Sequence, residues 1–236
     1  MKEKTVDFRN AFFGSFYDIA SKNNDIIFLT ADTDADSLVK FRENHHERFI
    51  NTGVTEQNAV TVASGLALSG KKVFIYSMVP FITMRCYEQI KIDICSMKLP
   101  ITLIGLGTGL SYSYYGPAGH GVIDIAIMRA LPEITIFNPS DPISASAFAG
   151  MAYNNFSPTY VRLHKGSTPK IYKDNESFAD GFKIHKEGSD CCIISTGIMV
   201  HRALEVANEL AAHSIDASVI DLYRIKPINE NLLLDN

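Results

Sequence analysis

The sequence predicts an α/β fold: a parallel sheet with helices on both faces, followed by an incomplete second α/β domain. Three observations lead to this prediction. Apolar runs of strand length alternate with stretches of helical periodicity. The runs are continuously apolar, which is typical of strands buried on both faces of a parallel sheet. A polar segment then precedes one further β-α-β pattern near the end of the sequence.

The first part of the chain contains most of these elements. Its strand candidates are, in order, 26–32, 48–53, 71–78, 100–107, 134–138 and 159–163. Its helix candidates are a stretch through Phe8, Phe12, Phe16 and Ile19, then 55–69, 82–97, 121–131 and 142–154. The helix at 55–69 is rich in alanine and glycine, which permit close backbone approach.

Composition divides the chain into a first domain over 1–168, a linker over 169–188, and the beginning of a second domain over 189–236. The linker is polar and contains glycine, proline and scattered charges. A single β-α-β unit leaves sheet edges open and buries little core. We therefore expect the second domain to be cut short at Asn236 or to be completed by something else.

Charge and hydropathy exclude several classes of function. The net charge is −4 and the basic residues are scattered, which argues against non-specific nucleic-acid binding. No signal-like segment or apolar run of membrane-spanning length occurs, so we expect a soluble cytoplasmic protein. The cysteines lack metal-ligand spacing and are predicted to be reduced thiols in the core: Cys86, Cys95, Cys191 and Cys192.

The segment 51–60, N-T-G-V-T-E-Q-N-A-V, is the strongest candidate for a site. It leads from a strand end through a glycine into the first turn of a helix. Parallel sheets bind ligands at the carboxyl ends of their strands, and Glu56 would project there. Spacing alone leaves a second interpretation open, because the helix dipole favours an acidic residue in a first turn.

This segment is similar to the pyrimidine-domain motif of transketolases and their relatives. The similarity continues in order through Y-S-M-V-P-F-I-T-M-R-C-Y-E-Q-I, D-I-A-I-M-R-A-L-P, N-P-S-D and P-T-Y-V-R-L, and so covers roughly residues 5–170. The string V-I-D-L-Y-R-I-K-P-I, at 219–228, resembles the start of the family's C-terminal domain. Each string is weak alone, but their shared order makes the resemblance specific.

The resemblance implies a cofactor and a partner. Enzymes of this family bind thiamine diphosphate between one domain that holds the diphosphate with its divalent metal and another that holds the aminopyrimidine. The metal signature, G-D-G followed further on by Asn, does not occur here. The chain resembles the C-terminal half of a split transketolase. The expected partner is an N-terminal, diphosphate-binding subunit that holds Mg²⁺ or Ca²⁺, in an α2β2 heterotetramer that acts on small sugars.

The same resemblance assigns roles to individual residues. Glu56 matches the catalytic glutamate that hydrogen-bonds the pyrimidine N1′ and shares its proton. The other cofactor-binding positions match Asp32, Met78, Phe81 and Met84. Phe81 stands where an aromatic ring packs on the pyrimidine, whereas Met78 and Met84 replace further aromatics. Methionine still packs on a ring through its polarizable sulfur.

The substrate positions depart most from the family. Arg9 and Lys165 match basic residues that hold a substrate phosphate, although each is also explained as a solvated surface charge. Two histidines and an aspartate that contact sugar hydroxyls are replaced by Gly107, Gly119 and Tyr115.

His120, one position beyond Gly119, is the expected catalytic and substrate-binding imidazole. Three tyrosines, Tyr112, Tyr114 and Tyr115, either reshape the substrate channel or only pack the loop. We therefore expect a donor other than ordinary xylulose 5-phosphate.

Three other interpretations remain open. A β-type subunit of a 2-oxoacid dehydrogenase uses the same pyrimidine-domain chemistry. A deoxyxylulose-phosphate-synthase-like activity is also possible, although that enzyme carries both halves on one chain. A homologue without catalysis would retain the fold for assembly or regulation, against which the presence of Glu56 argues.

Overall fold

A computed structural model of the protein describes residues 6–235. The strands are β1 (Val6–Asp7), β2 (Ile26–Thr30), β3 (Phe49–Asn51), β4 (Lys72–Met78), β5 (Ile101–Leu106), β6 (Thr135–Phe137), β7 (Thr159–Leu163), β8 (Ser167–Thr168), β9 (Lys183–Lys186), β10 (Cys191–Ser195), β11 (Ala217–Asp221) and β12 (Arg224–Lys226). The α-helices are α1 (Phe8–Ala20), α2 (Val39–Asn44), α3 (Glu56–Leu68), α4 (Val79–Thr83), α5 (Tyr87–Gln89), α6 (Asp124–Ala130), α7 (Pro142–Asn154), α8 (Met199–Ala211) and α9 (Glu230–Leu234). Short 3₁₀ turns span Asp36–Leu38, His46–Arg48 and Ser113–Gly119, and a π-helical turn spans Ile90–Cys95.

The main sheet has seven strands in the order β12-β6-β7-β5-β4-β2-β3. All pairs from β2 to β7 are parallel, and only β12 runs antiparallel to its neighbour β6. Every residue of β2, β5 and β7 is buried, as strands covered on both faces must be. The predicted α/β fold with a mostly parallel, helix-covered sheet is therefore confirmed.

The two faces of this sheet are filled differently. On one face α1 and α7 cover an aromatic core, in which the rings of Phe13 and Tyr76 lie 4.9 Å apart in an edge-to-face arrangement. Burying one such ring contributes about 1.5–3 kcal/mol. On the other face Ala59 and Ala63 of α3 pack against the sheet beside α6 and the π-helical turn. The small residues of α3 thus bring its backbone, and Glu56 at its start, close to the strands.

A smaller sheet, β10-β11-β9, forms the second unit. Strand β9 lies in the range predicted as a linker; it pairs antiparallel with β11. α8 packs against β10 and β11. After β11 the chain returns to the main sheet as β12, so the second unit is joined to the first by strand pairing.

The prediction for the cysteines holds for one pair and is wrong for the other. Cys86 and Cys95 are buried, whereas Cys191 and Cys192 are exposed. The apolar run around Cys191 does form a strand, but its side chains are largely exposed in the part of the chain that the structure describes. No helix within residues 6–235 is long and apolar enough to span a bilayer.

Candidate active site

Glu56 lies at the edge where the carboxyl ends of the central strands meet. Strand β3 ends at Asn51, and Gly53 then adopts a φ of 72° before α3 begins at Glu56. A positive φ suits glycine because it has no Cβ. This tight turn directs the Glu56 side chain back over the sheet, where only 1% of the residue is exposed.

Two side chains hold the Glu56 carboxylate. Arg85 donates from Nη1 to Oε2 at 2.6 Å, and Ser77, at the end of β4, donates to Oε1 at 3.4 Å. A buried carboxylate requires a charged or hydrogen-bonding partner, and Arg85 provides the charge. The longer contact at Oε1 leaves that oxygen able to accept a stronger hydrogen bond.

Arg85 was not among the residues predicted from the sequence. Its guanidinium lies 4.3 Å from the centroid of the Phe81 ring, so it contacts both the carboxylate and the aromatic side chain. The residue stands within the matched string 76–90, but no spacing in that string relates it to Glu56. Only the packing of α3 beside α4 and α5 brings the two together.

The residues predicted to contact the pyrimidine adjoin, in the chain, the two partners of Glu56. Met78 ends β4 next to Ser77, and Phe81 follows in α4; both are half-buried. Met84, just after α4, is exposed. Phe81 thus lies against Arg85, and the two methionines are chain neighbours of Ser77 and Arg85, the partners of the buried carboxylate.

Asp32 supports the turn that leads to Glu56. It follows β2 with a φ of 55°, a conformation that aspartate tolerates better than most residues. Its N–H donates to Asn51 Oδ1 at 3.1 Å, and Asn51 Nδ2 donates back to Asp32 Oδ1 at 3.2 Å. Asn51 Oδ1 also accepts from the N–H of Gly53 at 3.0 Å. Asp32 itself is exposed at the strand edge.

Arg9 is paired with an acidic residue two positions before it. Its Nε lies 3.0 Å from Asp7 Oδ1, and its Nη2 donates to Asp7 Oδ2 at 3.3 Å. Asp7 also caps α1 by accepting the N–H of Arg9 at 2.8 Å. The hydrogen bonds that Arg9 donates to Asp7 raise the pKa of Arg9, so the guanidinium is held charged and compensated.

Lys165 lies in an aromatic setting close to the start of α1. Its Nζ is 4.4 Å from the centroid of Tyr112 and donates to the Tyr114 hydroxyl at 3.4 Å. Phe8 donates its N–H to the carbonyl of Gly166 at 3.1 Å, which joins the α1 N-terminus to the segment after β7. The structure therefore brings both predicted basic residues to one end of the sheet.

The packing of the loop after β5 accounts for the glycines at positions 107 and 119, which the resemblance aligns with two histidines. Gly107 has a φ of 85°, and a Cβ there would lie 2.3 Å from Cδ2 of Tyr112. A Cβ on Gly119 would lie 2.7 Å from the carbonyl oxygen of Tyr112. The buried Tyr112 ring thus occupies the space that a side chain at position 107 would need.

The other predicted residues of this loop lie on its surface. Tyr114 and Tyr115 are exposed, and their ring centroids are 4.4 Å apart. His120 is half-buried, and its imidazole forms no hydrogen bond with residues of the 6–235 range. Tyr112 therefore packs the loop, whereas Tyr114, Tyr115 and His120 remain available to a ligand.

A buried network anchors the end of this loop. The Asp124 carboxylate accepts from Arg162 Nε at 2.5 Å and Nη2 at 3.1 Å, and from the Tyr160 hydroxyl at 2.7 Å. All three residues are buried. Burial, together with the Asp124 charge, raises the pKa of Tyr160 well above its usual range, so its hydroxyl stays a donor. The network fixes α6 to β7.

A second buried acid joins the two units. Asp221 of β11 accepts hydrogen bonds from Ser140 at 2.5 Å and from Tyr172 at 2.8 Å, while its Oδ1 has no partner among the described residues. Burial raises its pKa to about 7. His185 Nε2 lies 4.0 Å away, and burial lowers the pKa of that imidazole to about 4.

Over the described range, no group of three or more His, Cys, Asp or Glu residues is arranged to hold a metal ion.

Comparison with known proteins supports the resemblance over nearly the whole chain. Residues 4–170 match the family model "Transketolase, pyrimidine binding domain", and residues 180–235 match "Transketolase, C-terminal domain". An apulose-4-phosphate transketolase subunit of Actinobacillus succinogenes is 31% identical over 219 residues, which are 92% of this chain and 70% of that protein. The 6-deoxy-6-sulfo-D-fructose transketolase subunit SqwH of a Clostridium species is 32% identical over 228 residues, covering 96% of this chain and 71% of that protein.

Solved structures agree with this fold. A structure described as a split gene transketolase, inactive beta4 tetramer, superposes with a TM-score of 0.89 at 31% identity. It is matched over 98% of this chain and 76% of its own. Transketolase structures from Pichia stipitis superpose with a TM-score of 0.86 at 20% identity, which supports the fold alone.

Proposed function

Because this chain belongs to the transketolase family, we propose that it supplies the pyrimidine-binding half of a thiamine-diphosphate-dependent transferase. The reaction would move a two-carbon ketol unit from a ketose donor, such as a ketose phosphate, to an aldehyde acceptor. One observation carries the proposal: Glu56 is buried at the strand edge with Oε2 held by Arg85 and Oε1 able to accept a further hydrogen bond. This is the geometry that a carboxyl needs to bind a protonated ring nitrogen.

The residues present fit the aminopyrimidine of the cofactor. An aminopyrimidine presents a hydrogen-bonding nitrogen edge and two flat apolar faces. Glu56 Oε1 suits the edge, while Phe81, Met78 and Met84 offer apolar surface beside it. Asp32, at the neighbouring strand end, borders the same site. When bound, thiamine diphosphate would supply the electron sink that carries the two-carbon unit.

In this mechanism Glu56 holds and exchanges the proton at the pyrimidine N1′. Proton transfer by a positioned carboxyl typically contributes ~10²–10⁴-fold to a rate. Arg85 and Ser77 keep the carboxyl in one orientation, so little reorganisation is required.

We assign the substrate contacts to the part of the strand edge that lies opposite Glu56. Arg9 and Lys165 would hold the anionic end of the donor. Tyr115 and His120 would face its reacting part, with His120 giving or accepting a proton at a donor oxygen. The exposure of Tyr115 and the half-buried positions of His120, Arg9 and Lys165 leave all four within reach of a ligand, which supports these roles.

A separate polypeptide would complete the active site. We assign the diphosphate and its Mg²⁺ or Ca²⁺ to an N-terminal transketolase subunit, in an α2β2 assembly. The names of relatives support this, because both are named as subunits of transketolases, and a similar structure is called an inactive beta4 tetramer. The exposed apolar residues Val62, Leu68 and Ile92, on α3 and the turn after α5, suit an interface with further subunits.

The same comparisons support the proposed division of the chain. Matches over 4–170 and 180–235 agree with a pyrimidine-binding domain at 1–168 and the start of a C-terminal domain at 189–236. The segment between them, 169–188, is the proposed linker, from which β9 joins the second unit.

Reconstitution tests the proposal. The chain would be mixed with a subunit that carries G-D-G and the downstream Asn, and both cofactor binding and ketol transfer would be measured. We expect Mg²⁺-dependent binding and turnover in the mixture, and neither in the chain alone. Tight binding by the single chain would contradict the proposal.

The assay also separates two of the other interpretations. Turnover of 2-oxoacids in place of ketoses would indicate a dehydrogenase subunit. Assembly with the partner without cofactor binding would indicate a non-catalytic role.

A further inference from the structure

We propose that the donor site of this enzyme selects a terminal group with a single negative charge, such as a sulfonate or carboxylate, over a phosphate dianion. Asp7 sets this selectivity. The inference rests on the proposed function, because it takes Arg9 and Lys165 as the residues that hold the anionic end of the donor.

The first step is the charge that Arg9 retains. Its guanidinium is contacted at Nε and Nη2 by the two oxygens of Asp7, and both side chains are partly buried. One carboxylate therefore compensates one guanidinium. An incoming anion meets a neutral pair, whose Asp7 oxygens repel it while only part of the guanidinium remains to attract it.

The second step is the charge of the surroundings. Arg162 of β7, the basic residue that precedes Lys165 in the chain, is bound by Asp124, so its charge is already compensated. Burial lowers the pKa of His164, and burial raises the pKa of Tyr112 and Tyr76, so these groups are neutral near pH 7. Asp7, Arg9 and Lys165 together carry a net charge of about +1.

The third step is the setting of Lys165. Its Nζ lies over the rings of Tyr112 and Tyr114, at 4.4 Å and 5.4 Å from their centroids. The negative face of an aromatic ring attracts this cation but opposes excess negative charge beside it. The Tyr114 hydroxyl adds a neutral polar contact. The net charge of Asp7, Arg9 and Lys165 thus matches one negative charge on a ligand. A second negative charge on the same ligand would have no partner among these residues.

Phosphate esters carry about −1.5 to −2 charges at pH 7, with a second pKa of about 6. A charge that leaves water without a partner is costly. A sulfonate or carboxylate carries one charge and is matched by Lys165. The site therefore favours such donors at neutral pH, and protonation of a phosphate ester to its monoanion removes the difference.

Asp7→Asn separates the charge of Asp7 from its structural role. Asp7 caps α1 by accepting the N–H of Arg9, and asparagine is an equally good cap. The variant keeps this cap but frees Arg9. Asp7→Ala, which loses both the cap and the charge, is the matched control.

The experiment uses the reconstituted enzyme and two donors of matched shape, fructose 6-phosphate and 6-deoxy-6-sulfofructose. At pH 7.5 we expect kcat/KM to favour the sulfonate at least tenfold. Asp7→Asn should reduce that preference at least tenfold, mainly by lowering KM for the phosphate, with an unchanged melting temperature. Asp7→Ala should change the preference in the same direction and melt at a lower temperature.

The pH dependence provides a second readout. From pH 7.5 to pH 5.5, KM for fructose 6-phosphate should fall relative to KM for the sulfonate, because the phosphate gains a proton and the sulfonate does not. Equal or better use of the phosphate at pH 7.5, or a preference unchanged in Asp7→Asn, would overturn the inference. If the proposed function is wrong instead, neither donor is turned over by any variant.

Discussion

Arg85 and Glu56 form an ion pair 2.6 Å long although 29 residues separate them in the sequence. The carboxylate is 1% exposed, whereas the arginine is 41% exposed and reaches in from the surface over Phe81. The pair links the start of α3 to the segment after α4. It holds the proposed catalytic carboxyl in place before any ligand is bound.

The first prediction concerns Glu56→Gln. The amide keeps the size of the side chain and can still bond to Arg85 or Ser77 through its oxygen, but it does not exchange the N1′ proton. We expect kcat of the reconstituted enzyme to fall by more than tenfold, since general acid–base contributions are ~10²–10⁴-fold. The exposed Glu88→Gln, on α5, is the control. A Glu56→Gln enzyme with more than a tenth of the wild-type kcat would contradict the assignment.

The second prediction concerns the ion pair itself. Arg85→Met leaves the buried Glu56 carboxylate without its charged partner, and we expect a loss of about 1–3 kcal/mol in the free energy of unfolding of the isolated chain. In a Glu56→Gln background the same change should cost less, because no buried charge is left unpaired. Urea unfolding of the four chains measures this. Arg42→Met, which breaks an exposed pair with Asp34, should have little effect.

The third prediction concerns the loop after β5. Gly107→Ala combines a positive φ with a Cβ 2.3 Å from Tyr112, so it should cost about 2–5 kcal/mol of stability. Gly109→Ala is the matched control, since its φ is 60° but nothing lies within 4 Å of its Cβ. In a Tyr112→Ala background, Gly107→Ala should cost no more than Gly109→Ala does. An equal cost in both backgrounds would mean that Tyr112 does not restrict position 107.

The fourth prediction concerns the donor. A side chain at position 107 would meet the Tyr112 ring, and the family resemblance aligns position 107 with a histidine and Tyr115 with an acid that contacts sugar hydroxyls. Sites that lose such contacts lose the corresponding discrimination. We expect kcat/KM for xylulose 5-phosphate with ribose 5-phosphate to be at least 100-fold below that of a pentose-phosphate transketolase measured alongside. A comparable value would refute a divergent donor.

The fifth prediction concerns pH and Asp221. Its pKa in the folded chain, about 7, lies above the ordinary value of 3.8, so the folded state retains a proton that the unfolded state releases. The wild-type free energy of unfolding therefore loses a contribution as pH rises between about 4 and 7.

Asp221→Asn lacks this titration, so its stability relative to wild type should increase from pH 5 to pH 8. His185 lies 4.0 Å from Asp221, and burial lowers its pKa to about 4, so this imidazole is neutral in the folded chain over the whole range. Urea unfolding at the two pH values measures it, with the exposed Asp174→Asn as control. A difference independent of pH would show that Asp221 is ionised throughout.

Six of the seven strands of the main sheet, β2 to β7, and the location of Glu56 could be predicted because their signals are local. The runs at 26–32, 100–107 and 159–163 are apolar enough to be buried on both faces, and β2, β5 and β7 lie inside them. The helix expected over 82–97 is instead divided into α4, α5 and a π-helical turn. Such breaks depend on packing against neighbouring elements, so periodicity does not mark their ends.

The sequence by itself determined the α/β class, the family and the strand end at which Glu56 projects, because apolar runs and ordered motifs are properties of neighbouring residues. Only the tertiary structure decided which charges are compensated. Arg85 reaches Glu56, and Arg162 reaches Asp124, across strands and helices that the linear spacing does not relate. The return of the chain as β12 and the exposure of Cys191 were likewise decided by which elements cover which faces. Burial and pairing depend on contacts between distant segments, and these exist only once the chain has folded.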